Sequence, residues 1–314
     1  MLPNFFIVGA MKAGTTSLYN YLDQHPQVYM SPIKEPCYFS SETRPENMRP
    51  EFQEQAHRGI RDTREYIRGP MREKRLAGLV VDWEDYVSLF RGVKGESAVG
   101  EASIRYLWSK MAPDNIQARI PAAKIIIVLR DPPDRAFSEY HHAVANGVVR
   151  WSFGDHIQAA LHLKSEKLGI LYPFLEYGLY YEQVKRYLDL FPRENVRIYL
   201  YEDYRAQFLQ LWRDVLGFLQ IDTSFSPDTA VKHMEPRVPR FATTSYFLMK
   251  YGIWLRLTKL SPRALRPVLR NVAFRRRNSL VMDPKDRQCL IDYYREDIRR
   301  LSGLINRDLS TWLV

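Results

Sequence analysis

Cysteine is scarce in this sequence, since Cys37 and Cys289 are the only two among 314 residues. Two cysteines do not make a disulfide framework, and no cluster of potential ligands has the spacing of a metal site. The sequence therefore predicts no metal ion. Its low cysteine content is typical of a protein in a reducing environment.

Long hydrophobic runs are missing as well. No apolar stretch approaches the roughly 20 residues that a helix needs to span a bilayer. The N-terminal apolar run, residues 5–8, leads directly into a glycine loop, whereas a secretory signal has a longer apolar region. We therefore expect no transmembrane segment and a cytoplasmic location.

Acidic residues are fewer than basic ones. The chain has 36 acidic residues against 46 lysines and arginines, a net charge of +10. Such an excess indicates an anionic partner: a nucleotide, an acidic glycan, a membrane surface bound peripherally, or nucleic acid. No signature of an RNA- or DNA-binding module occurs, so we do not expect a nucleic-acid partner.

A glycine-rich turn follows the first apolar run. Gly9 and Gly14 have the spacing of a phosphate-binding loop, and apolar residues at helical spacing come next. Glycines let the backbone turn sharply, so that its N–H groups and the helix N-terminus can point at one anion. The alternative is an ordinary strand–turn–helix with solvated hydroxyl groups.

The loop departs from the nucleotide triphosphatase motif. That motif ends in Gly-Lys-Ser/Thr, whose hydroxyl holds Mg²⁺, whereas here threonine follows Gly14 and the lysine lies inside the loop as Lys12. Lys12 can still reach the distal end of a phosphate chain. Thr15, Thr16 and Ser17 can donate hydrogen bonds to the 5′ end of a nucleotide.

Strand-like apolar runs alternate with helical periodicity along the chain. Residues 124–129 form the clearest strand, and their unbroken apolar run implies burial on both faces, as in the middle of a parallel sheet. Residues 196–201 indicate another strand. Helical spacing occurs at 177–190, 209–219 and 286–312. With the glycine loop, this pattern predicts an α/β, P-loop-NTPase-like three-layer fold whose central, mostly parallel sheet is flanked by helices.

Two segments resemble the donor-binding motifs of sulfotransferases that use 3′-phosphoadenosine 5′-phosphosulfate (PAPS). Residues 9–18, Gly-Ala-Met-Lys-Ala-Gly-Thr-Thr-Ser-Leu, are similar to the 5′-phosphosulfate loop of that family. Residues 126–140, Ile-Ile-Val-Leu-Arg-Asp-Pro-Pro-Asp-Arg-Ala-Phe-Ser-Glu-Tyr, are similar to its 3′-phosphate motif. The two motifs come in the expected order.

The resemblance extends more weakly from Phe5 to Trp312, and no internal repeat or low-complexity linker interrupts it. It therefore implies a single sulfotransferase domain over residues 1–314. Residues 41–75, which are polar and densely charged, and residues 241–278 are predicted insertions or lid segments.

The resemblance implies PAPS as the donor and 3′-phosphoadenosine 5′-phosphate (PAP) as the product, with no metal. Lys12 is then a catalytic residue that neutralises the bridging oxygen. Arg130 directly follows an apolar strand, where ligands of open α/β sheets bind; the alternative is an arginine paired with Asp131 or Asp134. The predicted donor-binding residues are Lys12, Ala13, Gly14, Thr15, Thr16, Ser17, Arg130, Ser138 and Arg240.

The resemblance implies particular roles for three of these residues. Arg130 and Ser138 are expected to bind the 3′-phosphate, which distinguishes this donor from ATP. Relatives often have a loop ending in Pro-Arg over the adenosine. This chain has Pro-Arg twice, at Arg237 and Arg240, and we favour Arg240 as the contact. The basic cluster at residues 275–277 is a further candidate for contact with the donor, an acidic acceptor or a membrane surface.

The acceptor side is predicted from two further segments. Residues 34–39, Lys-Glu-Pro-Cys-Tyr-Phe, resemble a segment of heparan-type sulfotransferases in which the glutamate is the general base. This implies Glu35 as a catalytic residue and Lys34 as its neighbour in the acceptor site; the alternative is a surface Lys–Glu pair. Residues 100–107, with Ile104 where the family often has proline, resemble a segment near the acceptor.

That second segment makes Glu101 and Ser103 candidate acceptor-binding residues, with a buried structural glutamate as the alternative. His141 is a further candidate. Should Glu35 not be the base, the next choices are Glu101, His141 and His142.

The predicted reaction is in-line transfer of a sulfuryl group from PAPS to an acceptor hydroxyl or amine. The acceptor is expected to be a glycan, a lipid-linked sugar or a small natural product, and an anionic acceptor would suit the net charge. The first alternative is a P-loop kinase or nucleotide hydrolase. The second is a non-enzymatic protein that binds polyanions.

Overall fold

The computed structural model describes residues 1–164, 166–230, 237–239, 246–247, 253, 274–276 and 281–314. The strands are β1 (Phe5–Gly9), β2 (Val28–Met30), β3 (Ala98–Ala102), β4 (Lys124–Leu129), β5 (Val196–Leu200), β6 (Arg237–Pro239) and β7 (Phe274–Arg276). The helices are α1 (Thr15–Leu22), α2 (Pro50–Arg68), α3 (Trp83–Ser88), α4 (Arg105–Trp108), α5 (Ala112–Arg119), α6 (Pro132–Ala145), α7 (Phe153–Leu161), α8 (Tyr180–Leu190), α9 (Tyr201–Ala206), α10 (Phe208–Leu219) and α11 (Pro284–Ile305).

Five strands form one parallel sheet in the order β2-β3-β1-β4-β5. All residues of β1 and β3 are buried, and β4 is buried from Ile125 onward. Such strands need helices on both sides of the sheet. The predicted α/β fold with a central parallel sheet is therefore confirmed. The short strands β6 and β7 pair separately and antiparallel.

The strand order fixes where ligands can bind. After β1 the chain moves to β2 and β3 on one side, and after β4 it moves to β5 on the other. The loops that follow β1 and β4 therefore flank the point at which the winding of the sheet reverses. Open α/β sheets bind ligands outside the carboxyl ends of their strands at such a point.

The helix predicted for residues 286–312 is shorter than expected. The helix α11 ends at Ile305, because Asn306 adopts a left-handed conformation with φ of 51° and terminates it. A short 3₁₀ helix, Ser310–Leu313, follows and buries Trp312 against Tyr180. The C-terminal tail is thus docked on the core.

The predicted insertion at 41–75 contains two short 3₁₀ turns and the helix α2. Most of α2 faces solvent, whereas Thr63 and Ile67 are buried. The segment returns to the body where Ile33 and Arg75 form a parallel bridge. The other predicted insertion, 241–278, lies mostly outside the described residues.

The length and composition of the helices bear on whether the chain could cross a membrane. Among the residues described, none of the helices combines the length and the apolar composition that crossing a bilayer requires.

Candidate active site

The loop after β1 turns sharply into α1. Lys12 and Gly14 have positive φ angles of 63° and 86°. A Cβ atom at Gly14 would lie 3.1 Å from the Tyr201 ring, so both the backbone conformation and this contact favour glycine. The carbonyl of Gly14 accepts hydrogen bonds from the N–H groups of Ser17 and Leu18, at 3.0 and 3.1 Å. The first N–H groups of α1 have no acceptor within the helix and are available to an anion.

Arg130, the residue that follows β4, reaches this loop. Its Nη1 donates a hydrogen bond to the backbone carbonyl of Lys12 at 3.0 Å. Its Cζ lies 4.9 Å from the centre of the Tyr201 ring. The Nε of Arg130 is buried and has no hydrogen-bond partner in the described part of the chain. The two predicted donor motifs therefore meet at one edge of the sheet.

The alternative for Arg130, an ion pair with Asp131 or Asp134, accounts for only part of what is seen. Arg130 Nη2 lies 3.7 Å from Asp134 Oδ2, a long contact. Asp131 instead accepts from Arg287 Nη2 at 3.0 Å. The guanidinium of Arg130 thus keeps hydrogen-bonding capacity for another anion.

A cavity of about 340 Å³ lies beside Arg130. Its size is within the range of small-molecule sites. Its lining combines two cations, two carboxylates and an aromatic ring: Arg130, Asp134, Tyr201, Glu202, Arg205 and Ala206.

The helix α6 begins directly after Arg130 and carries two further residues of interest. Ser138 is buried, in the second turn. Glu139, the next residue, forms an ion pair with the buried Arg135. Burial raises the pKa of the Glu139 carboxyl, while Arg135, Lys12 and Arg105 act against that shift. Glu139 thus lies within electrostatic range of Lys12.

The segment that carries Glu35 is fastened to the end of β3. The N–H of Glu35 donates to the carbonyl of Ala102 at 2.7 Å, and the N–H of Cys37 donates to Ser103 Oγ at 3.1 Å. Glu35 and Cys37 both have positive φ angles, of 69° and 55°, which are strained for such residues. The bonds to Ala102, the last residue of β3, and to Ser103 directly after it hold the backbone in this conformation.

Lys34 and Glu35 form a close ion pair. Lys34 Nζ lies 2.5 Å from Glu35 Oε1, and the two side chains are 2% and 21% exposed. The alternative of a solvated surface pair is therefore wrong, because the lysine is buried. A buried ammonium that needs a carboxylate beside it holds Glu35 in one place.

The other predicted acceptor residues differ in their surroundings. Ser103 is fully buried, and its hydroxyl supports the backbone of Cys37. Glu101 is also fully buried, in β3. Burial raises the pKa of Glu101 to about 8, against the opposing effect of the hydroxyl groups of Tyr106, Ser103 and Tyr86. Its complete burial favours the alternative that Glu101 is a buried structural glutamate.

His141 lies three residues beyond Ser138 on α6, so the two share a helix face. Its ring is in contact with the rings of Phe137 and Tyr140, at centroid distances of 4.3 and 5.0 Å. His142 is exposed. Arg240 lies outside the described residues.

The sequence analysis did not predict that Arg105 and Glu139 belong to the candidate active site. Arg105 begins α4, just after β3, and electrostatic interaction with Tyr177, and then with Cys37, Glu35 and Glu139, raises its pKa. Both residues lie inside segments that the motifs already covered. A search for charged residues next to motif positions would have found them.

The comparisons with known proteins agree with this geometry. A family model described as "Sulfotransferase family" matches residues 3–225. The crystal structure of a sulfotransferase from Alicyclobacillus acidocaldarius is 32% identical with a TM-score of 0.71, over 99% of each chain. Carbohydrate sulfotransferase 15 of Mus musculus is 28% identical over 70% of this chain and 44% of its own length.

A third relative is the bifunctional heparan sulfate N-deacetylase/N-sulfotransferase 3 of Homo sapiens, 26% identical over 99% of this chain and 31% of the human protein. The chain thus spans less than half the length of these two curated relatives. The glycine loop and the parallel sheet define a P-loop-like α/β fold. The chain belongs to the sulfotransferase family, as the resemblance predicted.

Proposed function

We propose that this chain transfers a sulfuryl group from PAPS to an acceptor hydroxyl. The observation that carries the proposal is the hydrogen bond from Arg130 Nη1 to the Lys12 carbonyl, at 3.0 Å. It joins the residue expected at the 3′-phosphate to the loop expected at the 5′-phosphosulfate. A nucleotide with phosphates at both positions fits such a pair of cationic sites.

The residues present suit this donor. The glycine loop and the N-terminus of α1 offer N–H groups to the 5′-phosphate, and the hydroxyl groups of Thr15, Thr16 and Ser17 add to them. Arg130, whose buried Nε has no partner among the described residues, and Ser138 would bind the 3′-phosphate. Arg240, which lies outside the described residues, remains a proposed contact to the adenosine side.

The proposed chemistry is a single displacement at sulfur. A new bond forms between the acceptor oxygen and sulfur while the bond from sulfur to the 5′-phosphate oxygen breaks, and PAP leaves. The acceptor proton passes to Glu35, which Lys34 holds in place. Lys12 stabilises the negative charge that develops on the leaving phosphate. Catalysis of this kind depends mostly on positioning and charge stabilisation.

Calorimetry without Mg²⁺ tests the donor. We expect the wild-type protein to bind PAP at least tenfold more tightly than AMP, because only PAP carries a 3′-phosphate. Arg130→Ala should abolish that preference, whereas Arg193→Ala, at the amino end of β5, should keep it. Binding of ATP in preference to PAP would favour the kinase or hydrolase alternative and overturn the proposal.

The acceptor is proposed to be a hydroxyl-bearing glycan, lipid-linked sugar or small natural product, and an anionic one suits the net charge of +10. Two of the relatives are named for carbohydrate and heparan sulfate substrates, which supports a glycan. Incubation with ³⁵S-labelled PAPS and an extract of the source organism, followed by identification of the labelled product, tests this. The cytoplasmic location stays a prediction.

A further inference from the structure

Arg105 follows a stretch of chain that contacts both halves of the proposed active site. It is the first residue of α4 and follows the carboxyl end of β3. In that connection, Ala102 accepts a hydrogen bond from the N–H of Glu35 at 2.7 Å, and the N–H of Ser103 donates to the β1 carbonyl of Ile7 at 3.0 Å. The chain leading to Arg105 therefore touches both the Glu35 segment and the strand that ends in the glycine loop.

The guanidinium of Arg105 interacts with groups from several elements. Its electrostatic partners are Tyr177 and then Cys37, Glu35 and Glu139. Glu139 in turn interacts with Lys12. The guanidinium is thus in electrostatic range of the proposed base Glu35 and of Glu139, and Glu139 is itself in range of the proposed leaving-group lysine, Lys12.

Arg105 is not needed to hold its own helix. The carbonyl groups at the end of α4 are bound by another arginine, Arg186, whose Nη2 lies 3.2 Å from the oxygen of Leu107 and 3.0 Å from that of Trp108. No residue in the described ranges accepts a hydrogen bond from the Arg105 side chain, which is half-buried. Its donors are thus available to a ligand.

We propose that Arg105 binds the oxygens of the sulfuryl group during its transfer, as a catalytic residue for the proposed reaction. Charge in such a transfer is spread over the three equatorial oxygens of the moving group. A planar guanidinium can contact two of these oxygens at once. The inference rests on the proposed function and adds a second cation, beside Lys12, to the reacting centre.

Orthovanadate gives a test that needs no acceptor. Vanadate can adopt a five-coordinate geometry with three equatorial oxygens, and a transition-state analogue binds more tightly than a ground-state ligand. We expect vanadate to tighten PAP binding at least tenfold in the wild-type protein. Arg105→Ala should bind PAP alone within about twofold of wild type but lose the tightening by vanadate, and Arg105→Lys should retain part of it.

Arg186→Lys is the matched control, since it alters an arginine beside the same helix; it should keep the vanadate effect. Thermal melting checks that each variant is folded, and Arg105→Lys serves if Arg105→Ala is not. Full vanadate tightening in a folded Arg105 variant overturns the assignment, because Arg105 would then act only on Glu35 or Glu139. A wild-type protein that binds PAP without tightening also overturns it, while absence of PAP binding overturns the proposed function itself.

Discussion

At the scale of single residues, Glu35 has a partly exposed side chain on a backbone that is held in place by hydrogen bonds. Its side chain is 21% exposed, so an acceptor can reach it, while its ion-pair partner Lys34 is only 2% exposed. The backbone is held at the end of β3 by hydrogen bonds from the Glu35 N–H to Ala102 and from the Cys37 N–H to Ser103. A general base needs a fixed position within hydrogen-bond reach of the proton that it accepts, and this arrangement supplies the fixed position.

Glu35→Gln should lower kcat for sulfation by about 10²–10⁴-fold, the usual contribution of a general base. Glutamine keeps the shape of the side chain but cannot accept the acceptor's proton as a carboxylate does. PAP affinity, measured by calorimetry, should stay within about twofold of wild type because the donor residues are unchanged.

The exposed Glu46→Gln is a suitable control and should keep full activity. If Glu35→Gln is equally active, the base is another group. Glu139, which lies in range of Lys12, and His141 on the same helix would then be tested next.

The sequence predicted the positions of Lys12 and Arg130 at one edge of a parallel sheet because the rule is local: each follows a short apolar strand. It could not predict the surroundings of Arg105. The groups around that side chain come from Glu35, Glu139 and Tyr177, which tertiary packing alone brings together. The burial of Lys34 was missed for the same reason, since the segment at Arg75, whose carbonyl accepts from the Lys34 N–H at 2.8 Å, is distant in sequence.

At the scale of elements, the start of α6 is a junction of three helices. Asp131 caps α6 by accepting from the N–H of Asp134 at 2.9 Å, and its own N–H donates to Glu202 of α9 at 3.2 Å. Arg287 of α11 donates to both carboxylates, at 3.0 Å to Asp131 and 3.2 Å to Asp134. Burial raises the pKa of Asp131 to about 6, which makes its cationic partner more important. The chain immediately before this junction carries Arg130.

Arg287→Leu should lower the free energy of unfolding by about 1–3 kcal/mol, because it leaves the buried Asp131 carboxylate without its charged donor. We also expect PAP to bind several-fold more weakly, since Asp134, already 3.7 Å from Arg130, would compete for that guanidinium. Urea denaturation and calorimetry measure the two effects.

Arg295→Leu on the same helix is the control. Its ion pair with Asp292 is on the surface, and such pairs contribute little. Equal effects of the two substitutions would mean that the junction does not support α6.

At the scale of the whole molecule, the buried sheet contains an ionisable group. Glu101 lies in β3, fully buried, and its pKa is raised to about 8. The group therefore favours the folded state when protonated. This stabilisation is fully present below the unfolded pKa of about 4.5 and is lost as the pH rises through about 8.

Glu101→Gln should remove this dependence. Between pH 6 and pH 8, the free energy of unfolding of the wild-type protein should fall relative to that of Glu101→Gln by about 2 kcal/mol, because each pH unit between the two pKa values contributes about 1.4 kcal/mol. Urea denaturation at both pH values measures the difference. The exposed Glu54→Gln should follow the wild type, and parallel curves for Glu101→Gln and wild type would contradict the raised pKa.

The bond between Arg130 and the Lys12 carbonyl has a further consequence. The Arg130 guanidinium supports the glycine turn through Nη1, while its Nε has no hydrogen-bond partner among the described residues. A lysine at this position has a single ammonium group, which could not both support the glycine turn and bind the proposed phosphate in the same way. If the proposed donor binds here, the distance between its two phosphate sites is therefore fixed in advance by the Arg130 side chain, which belongs to one site and is bonded to the other.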